Sequence, residues 1–242
     1  MNTKIFNLLV KNLKVSFNLP KYQQITLDVN TVVETLPWTP ARYIKFKNAM
    51  SAEIGFHYDY AGTIQDITNS LSERYILKFF SEIWVPQIDN YEYSGWDLVN
   101  EVNQLNPQNV LDVGCGYHPF KGRIQNIVGI DPYNKCADYQ VDILDYRVKP
   151  ESFDVILALG SINFNSKDEI ESKFSHCVNL LRPNGKFFLR ANPGIPHATG
   201  PYVEIFNWTF EVVNEFSEKY NLRLDTFKKD SLDRLYFVYT KN

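Results

Sequence analysis

The chain has 242 residues, 44% of them hydrophobic, 22% charged and 15% aromatic, with a net charge of −3 and a sequence pI of about 5.8. That length carries one large core, or one core with a smaller subdomain. The acidic balance argues against indiscriminate gripping of phosphate backbones, so nucleic acid is not the expected partner. No apolar stretch approaches the roughly 20 residues that a bilayer-spanning helix needs. Cys115, Cys136 and Cys177 form no CxxC pair, and His57, His118, His176 and His197 form no HxH or HExxH pattern. No metal site is therefore expected. The first residues, broken by Lys11 and Lys14, do not read as a signal peptide, and the expected compartment is the cytoplasm.

The chain divides near residue 93. Before it, Lys14–Phe17 and Gln24–Val29 are candidate short strands. Thr39-Pro40 reads as a cap and first-turn proline that open a helix through about Met50. Ile54–Tyr60 is a candidate strand, with Phe56, Tyr58 and Tyr60 on one face. A helix opens at Ser70 or Ser72 and runs through Trp84, ended by Pro86.

After residue 93, apolar strands alternate with amphipathic helices, the pattern of a parallel α/β sheet. Ser94 is the expected cap of a helix carrying Trp96, Val99, Val102 and Leu105 on one side. Strands are expected at Asn109–Val113, Ile127–Asp131, Tyr139–Val141, Phe153–Leu159 and Lys186–Arg190. Helices are expected at Lys167–Leu181 and Trp208–Tyr220, with a turn at Arg182–Gly185 and a closing strand pair at Arg223–Phe227 and Leu235–Thr240.

The most informative stretch is Asn109–Phe120. An apolar run breaks into Gly114 and Gly116, and the next apolar run ends in Asp131. Glycines let backbone approach a ligand, and an acid at the following strand end accepts from two vicinal ribose hydroxyls. The string resembles motif I of the class I S-adenosylmethionine (SAM)-dependent methyltransferases, and the resemblance runs from Ser94 onward. It implies a doubly wound, mostly parallel seven-stranded sheet, SAM as cofactor, and an N-terminal α+β extension over residues 1–93 that selects the acceptor. By that resemblance Asp112, Gly114, Cys115 and Gly116 would hold the methionine part, and Asp131 with Pro132 the ribose. Asp142 with Ile143 would hold the adenine, and Leu159 with Gly160 would line the methionine and acceptor side.

The family's third glycine is replaced here by His118, followed by Pro119. The short interval to Asp131 predicts a brief or irregular first helix. Pro119 also stands where a dinucleotide dehydrogenase wants its last glycine. Candidates for a general base are His118, His197, and His57 with Asp59, each of which also reads as a loop or packing histidine. The Pro-Pro and Pro-Cys motifs of base-modifying methyltransferases are missing, and Ser161-Ile162-Asn163-Phe164 follows the fourth strand. Asn163 reads as a loop cap. The acceptor is left open between a small molecule and a protein. An alternative role is a SAM-fold binding or assembly module without catalysis.

Overall fold

The computed structural model describes residues 8, 11–13, 44–46, 48–50, 52, 80, 85–194 and 205–242. The chain divides into two compact units, Met1–Phe79 with Ala198–Val203, and Phe80–His197 with Glu204–Asn242. In the first unit, residues 44–46 and 48–50 are helical, and Phe46 and Met50, one turn apart, are both buried. This agrees with the helix expected after Thr39-Pro40. The candidate strands Lys14–Phe17, Gln24–Val29 and Ile54–Tyr60 lie outside the described residues, as do His57, Asp59 and His197. Of the helix expected to end at Trp84, only Phe80 is described.

The second unit holds a six-stranded sheet. Its strands are β1 (Val110–Val113), β2 (Ile127–Ile130), β3 (Phe153–Leu159), β4 (Leu181–Ala191), β5 (Leu222–Lys229) and β6 (Leu235–Lys241), in the order β2-β1-β3-β4-β6-β5. The pairs β1–β2, β1–β3 and β3–β4 are parallel, and β6 runs antiparallel to both β4 and β5. The α/β class, the mostly parallel sheet and the antiparallel tail match the expectation from sequence. Seven strands do not: the described residues form six. The expected strand at Tyr139–Val141 makes only a single bridge, Tyr139 to Ile130. The amides of Asp138 and Tyr139 both donate to the Gly129 carbonyl, so this segment curls back onto β2 instead of extending beside it.

Among the described residues three α-helices accompany the sheet: α1 (Asp97–Gln104), α2 (Lys167–Leu180) and α3 (Phe210–Lys219). Ser94 does not cap α1. Its hydroxyl turns back to the Glu92 carbonyl at 3.4 Å, and Trp96 takes the cap position without a side-chain bond. The other two helices are capped by side chains, Ser166 accepting from the Glu169 amide and Thr209 from the Val212 amide. The turn expected at Arg182–Gly185 lies inside β4 as a bulge. The register jumps from Phe153 opposite Leu181 to Val155 opposite Lys186, and Asn184 takes φ +64°.

Strand alternation sorts the core into two layers. Leu111, Val113, Ile156, Ala158, Phe187, Leu189, Phe237 and Tyr239 face α2 and α3. There Phe174, Trp208 and Phe216 form an edge-packed aromatic block, which accounts for much of the aromatic content. Val110, Val155, Leu157, Phe188, Tyr236 and Val238 face the other way, against Leu98 and Val102 of α1 and against Phe120 and Ile124. The connection from β1 to β2 contains no helix, where the short interval predicts a brief or irregular one. Phe120 and Ile124 cover the sheet where a crossover helix would otherwise lie.

Candidate functional site

β1 sits between β2 and β3, and its carboxyl end opens into the glycine turn. Gly114 and Gly116 take φ +70° and +56°, a region that side chains disfavour. A Cβ on Gly114 would also overlap the Ser161 side chain at the end of β3. The turn is tied to the end of β2. The amides of Gly114 and Cys115 donate to the Ile130 carbonyl at 2.8 and 3.1 Å, and the Gly116 amide donates to Asp131 Oδ2 at 2.9 Å. Sequence-distant segments are thus fixed together at one sheet edge.

Asp112 lies within β1 on the layer facing α1 and is 3% exposed. Burial, with a smaller push from the Asp131 charge, raises its carboxyl from 3.8 to about 7. Its side chain makes no hydrogen bond among the described residues. Asp131 is the reverse case. Its Oδ1 accepts from the amides of Tyr133 and Asn134 at 2.8 and 2.9 Å, while Oδ2 holds Gly116. The carboxylate therefore organises both its own loop and the glycine turn. Pro132 is half-buried beside it.

Asp142 accepts from the Leu144 amide at 2.9 Å and stands 3.4 Å from the Lys173 ammonium of α2. Ile143 points into the core layer under α2, so only its backbone can face a ligand. Leu159 packs partly buried at the end of β3. Gly160 follows with φ +107°, and a Cβ there would meet nothing nearer than Asn163 Nδ2 at 3.9 Å. Asn163 is a tie: its amide group donates to the Gly160 carbonyl at 3.1 Å, and its Oδ1 accepts from the Asn192 amide at 2.9 Å. The Ser161 hydroxyl is buried without a partner.

His118 adopts φ +53° and buries its ring against the bare face of Gly129. A Cβ on Gly129 would lie 2.5 Å from His118 Nε2 and 2.8 Å from Cys115 Sγ. The ring nitrogens have no hydrogen bond, and Nδ1 is 3.7 Å from Asp138, which is itself held by Lys121 and the Gly129 amide. Burial lowers the imidazole pKa and so favours its neutral form. The Cys115 thiol is pushed up, first by burial and then by Asp112, which leaves it unreactive.

Two features of this edge carry no local sequence signature. Phe80 stacks on Tyr133 at 5.8 Å and meets Phe164 edge-on at 5.2 Å, joining the loops after β2 and β3. At the end of β4, Arg190 forms a buried pair with Asp230 at 3.2 Å and lies over the Tyr91 ring at 4.1 Å. Only the tertiary fold brings these residues together. Among the described residues no cluster of His, Cys, Asp and Glu could hold a metal ion, and no helix is long and apolar enough to cross a membrane.

No protein-family model and no curated protein matches the sequence. Solved structures do match. A Burkholderia thailandensis 1,6-didemethyltoxoflavin-N1-methyltransferase, solved with 1,6-didemethyltoxoflavin and S-adenosylhomocysteine, superposes with a TM-score of 0.55 at 12% identity, over 76% of this chain and 93% of that one. The N-methyltransferase NodS of Bradyrhizobium japonicum WM9, with S-adenosylhomocysteine, gives 0.50 at 15% identity, over 72% and 98%. The [4+2]-cyclase SpnF gives 0.48 at 12% identity, over 76% and 97%. The chain has the Rossmann-like fold of the class I SAM-dependent methyltransferases.

Proposed function

We propose that the chain is a SAM-dependent methyltransferase acting on a small-molecule acceptor. The observation that carries this reading is the strained glycine turn at the carboxyl end of the central strand, backed by polar groups that lack partners. Asp112 and the Ser161 hydroxyl are buried and unbonded, and the space before Gly160 is open. Such groups fit a ligand with an amino group and polar edges. In this reading Asp112 and the backbone of Gly114, Cys115 and Gly116 hold the methionine end of SAM. Asp131 and Pro132 face the ribose, and Asp142 with the Ile143 backbone faces the adenine. Leu159 and Gly160 line the methyl side.

The bound cofactor would supply an activated methyl group on a sulfonium centre. The protein's task is then to align the acceptor and exclude water. A buried Asp112 carboxyl gives up its proton when an ammonium approaches, and so grips the amino group as a charge pair. His118, sealed against Gly129, keeps the turn in place and does not take the acceptor's proton. His197 remains the candidate base. The neighbour solved with 1,6-didemethyltoxoflavin and the acidic balance of the chain favour a small molecule over a protein or a polynucleotide. Residues 1–93 are proposed to choose the acceptor, residues 94–242 to hold the cofactor, and the cytoplasm to be the compartment.

One observation favours the non-catalytic alternative. Asp131 already accepts three backbone amides, leaving about one of its roughly four lone-pair positions for a ribose. Calorimetry with S-adenosylhomocysteine, followed by methyl-labelled SAM in cell extract, separates the readings. Binding with label transfer to a small-molecule fraction supports the enzyme. Binding with no transfer to any fraction favours a non-catalytic binding module, and no binding at millimolar ligand removes the cofactor reading and leaves the assembly role.

A further inference from the structure

We propose that His118 is an acid-sensitive latch on the glycine turn: when its ring takes up a proton it leaves its seat on Gly129, uncovers the Cys115 thiol and loosens the edge that holds the cofactor. The latch itself stands on the geometry of the turn. Its effect on ligand rests on the cofactor reading above and adds a regulation to it.

The seat is dry and close-fitting. The His118 side chain is 1% exposed, and its Nε2 lies 2.5 Å from where a Cβ on Gly129 would stand. Cys115 Sγ lies 2.8 Å from the same point, so ring and thiol are packed together on the bare face of β2. The turn closes on itself through the His118 amide, which donates to the Cys115 carbonyl at 2.9 Å. The backbone of Gly114 and Gly116 belongs to the same turn. A ring that leaves Gly129 therefore strips the cover from Cys115 and frees one side of the turn.

This seat suits a neutral ring and rejects a charged one. Neither ring nitrogen has a hydrogen bond. Among the described residues two charged groups face the ring, Asp138 from the loop after β2 and Lys121 from the β1–β2 connection. β2 contributes the bare Gly129, and the turn contributes the Cys115 thiol, on which the charges of Asp112 and Asp131 also act. An imidazolium carries two N–H donors. Asp138 lies 3.7 Å from Nδ1 and already takes Lys121 and the Gly129 amide. Nε2–H would face Gly129 and the thiol, buried without a good acceptor. Burial outweighs the Asp138 charge and holds the ring below the 6.5 of a free histidine. The seated ring is thus favoured in full above pH 6.5. Its advantage is lost as pH falls, by up to about ten-fold per pH unit, until the seated ring itself takes a proton.

The test reads the thiol on the full chain, with 4,4′-dithiodipyridine as the probe. Peptide mass spectrometry follows Cys115 against the exposed Cys136 as internal reference. From about pH 7.5 to about pH 5 the relative Cys115 rate should rise about ten-fold or more in the unmodified chain. His118→Phe keeps a ring that cannot titrate and should stay slow at both values. His118→Ala removes the cover and should be fast at both. A flat profile in the unmodified chain, an equal acid rise in His118→Phe, or a slow His118→Ala at neutral pH overturns the latch. Calorimetry with S-adenosylhomocysteine over the same range tests the effect on ligand. Affinity should fall more steeply in the unmodified chain than in His118→Phe, since Asp112 titrates in both and cancels. Equal slopes overturn the regulation. Absence of binding at every pH overturns the cofactor reading, and the thiol rates alone then decide the latch. Circular dichroism at each pH shows whether the fold as a whole is retained.

Discussion

Replacing Asp112 with Asn should stabilise the protein in neutral and alkaline solution while weakening its hold on ligand. The native carboxyl is pushed up to about 7, while an exposed aspartate in the unfolded chain titrates near 3.8. Between those values the native state keeps a proton that the unfolded chain has released. Folding is therefore favoured most at the acid end, and this contribution declines as pH rises from about 4 to about 7. A difference of roughly three pH units at 1.36 kcal/mol each gives a decline of about 4 kcal/mol. Asn cannot ionise, so the variant escapes the decline. Its amide stays buried without partners, which costs about 1–3 kcal/mol. The expected net gain is about 1–3 kcal/mol at pH 8, shrinking to nothing or reversing near pH 4.5. Urea unfolding of both proteins at several pH values, followed by circular dichroism, measures the difference and cancels the other titrating groups. Parallel stability profiles would refute the argument that Asp112 holds its proton because it is buried. Calorimetry in buffers of different ionisation enthalpy adds a second reading. S-adenosylhomocysteine should release a proton on binding near pH 6.5 in the unmodified protein and none in the variant.

Asp131→Ala leaves the amides of Gly116, Tyr133 and Asn134 without an acceptor, so stability should fall by about 2–4 kcal/mol along with ligand binding, as measured by thermal unfolding and calorimetry. Gly129→Ala forces a methyl group into the His118 ring and should cost about 1–3 kcal/mol. Adding His118→Ala should recover part of that loss, and a double-mutant cycle showing simple additivity would contradict the packing role. Ser166→Ala removes the cap of α2 and should cost about 1 kcal/mol in urea unfolding without changing S-adenosylhomocysteine affinity.

The sheet was legible because β1, β3 and the cores of β4 and β6 are apolar runs that need burial on both faces. The Tyr139–Val141 strand was misread because its neighbour Asp138 accepts from the Gly129 amide of β2 and Asp142 from the nearby Leu144 amide, which together turn the chain. The Ser94 cap failed for a related reason: a short polar side chain has several backbone partners in reach, and Glu92 was the nearer one. The positions of Gly114 and Asp131 in the turn followed from their residue types. The double duty of Asp131 did not, because its tie to the Gly116 amide spans 15 residues and exists only once β1 and β2 pair. His118 looked like a missing glycine in sequence. In the fold it complements Gly129, whose absent side chain makes room for the ring.

The helix-free link between β1 and β2 has an electrostatic consequence. In dinucleotide-binding sheets the corresponding crossover helix points its amino terminus, with its free amides and partial positive charge, at a pyrophosphate. Here that connection brings no such terminus, and the amides of Gly114, Cys115 and Gly116 are already bonded to Ile130 and Asp131. A pyrophosphate laid on this edge would face the carboxylates of Asp112 and Asp131 with no backbone donors from the turn to receive it. The crossover that leaves out a helix thereby removes the donor set a pyrophosphate needs, and what the edge presents instead are two acids, which suit an amino group.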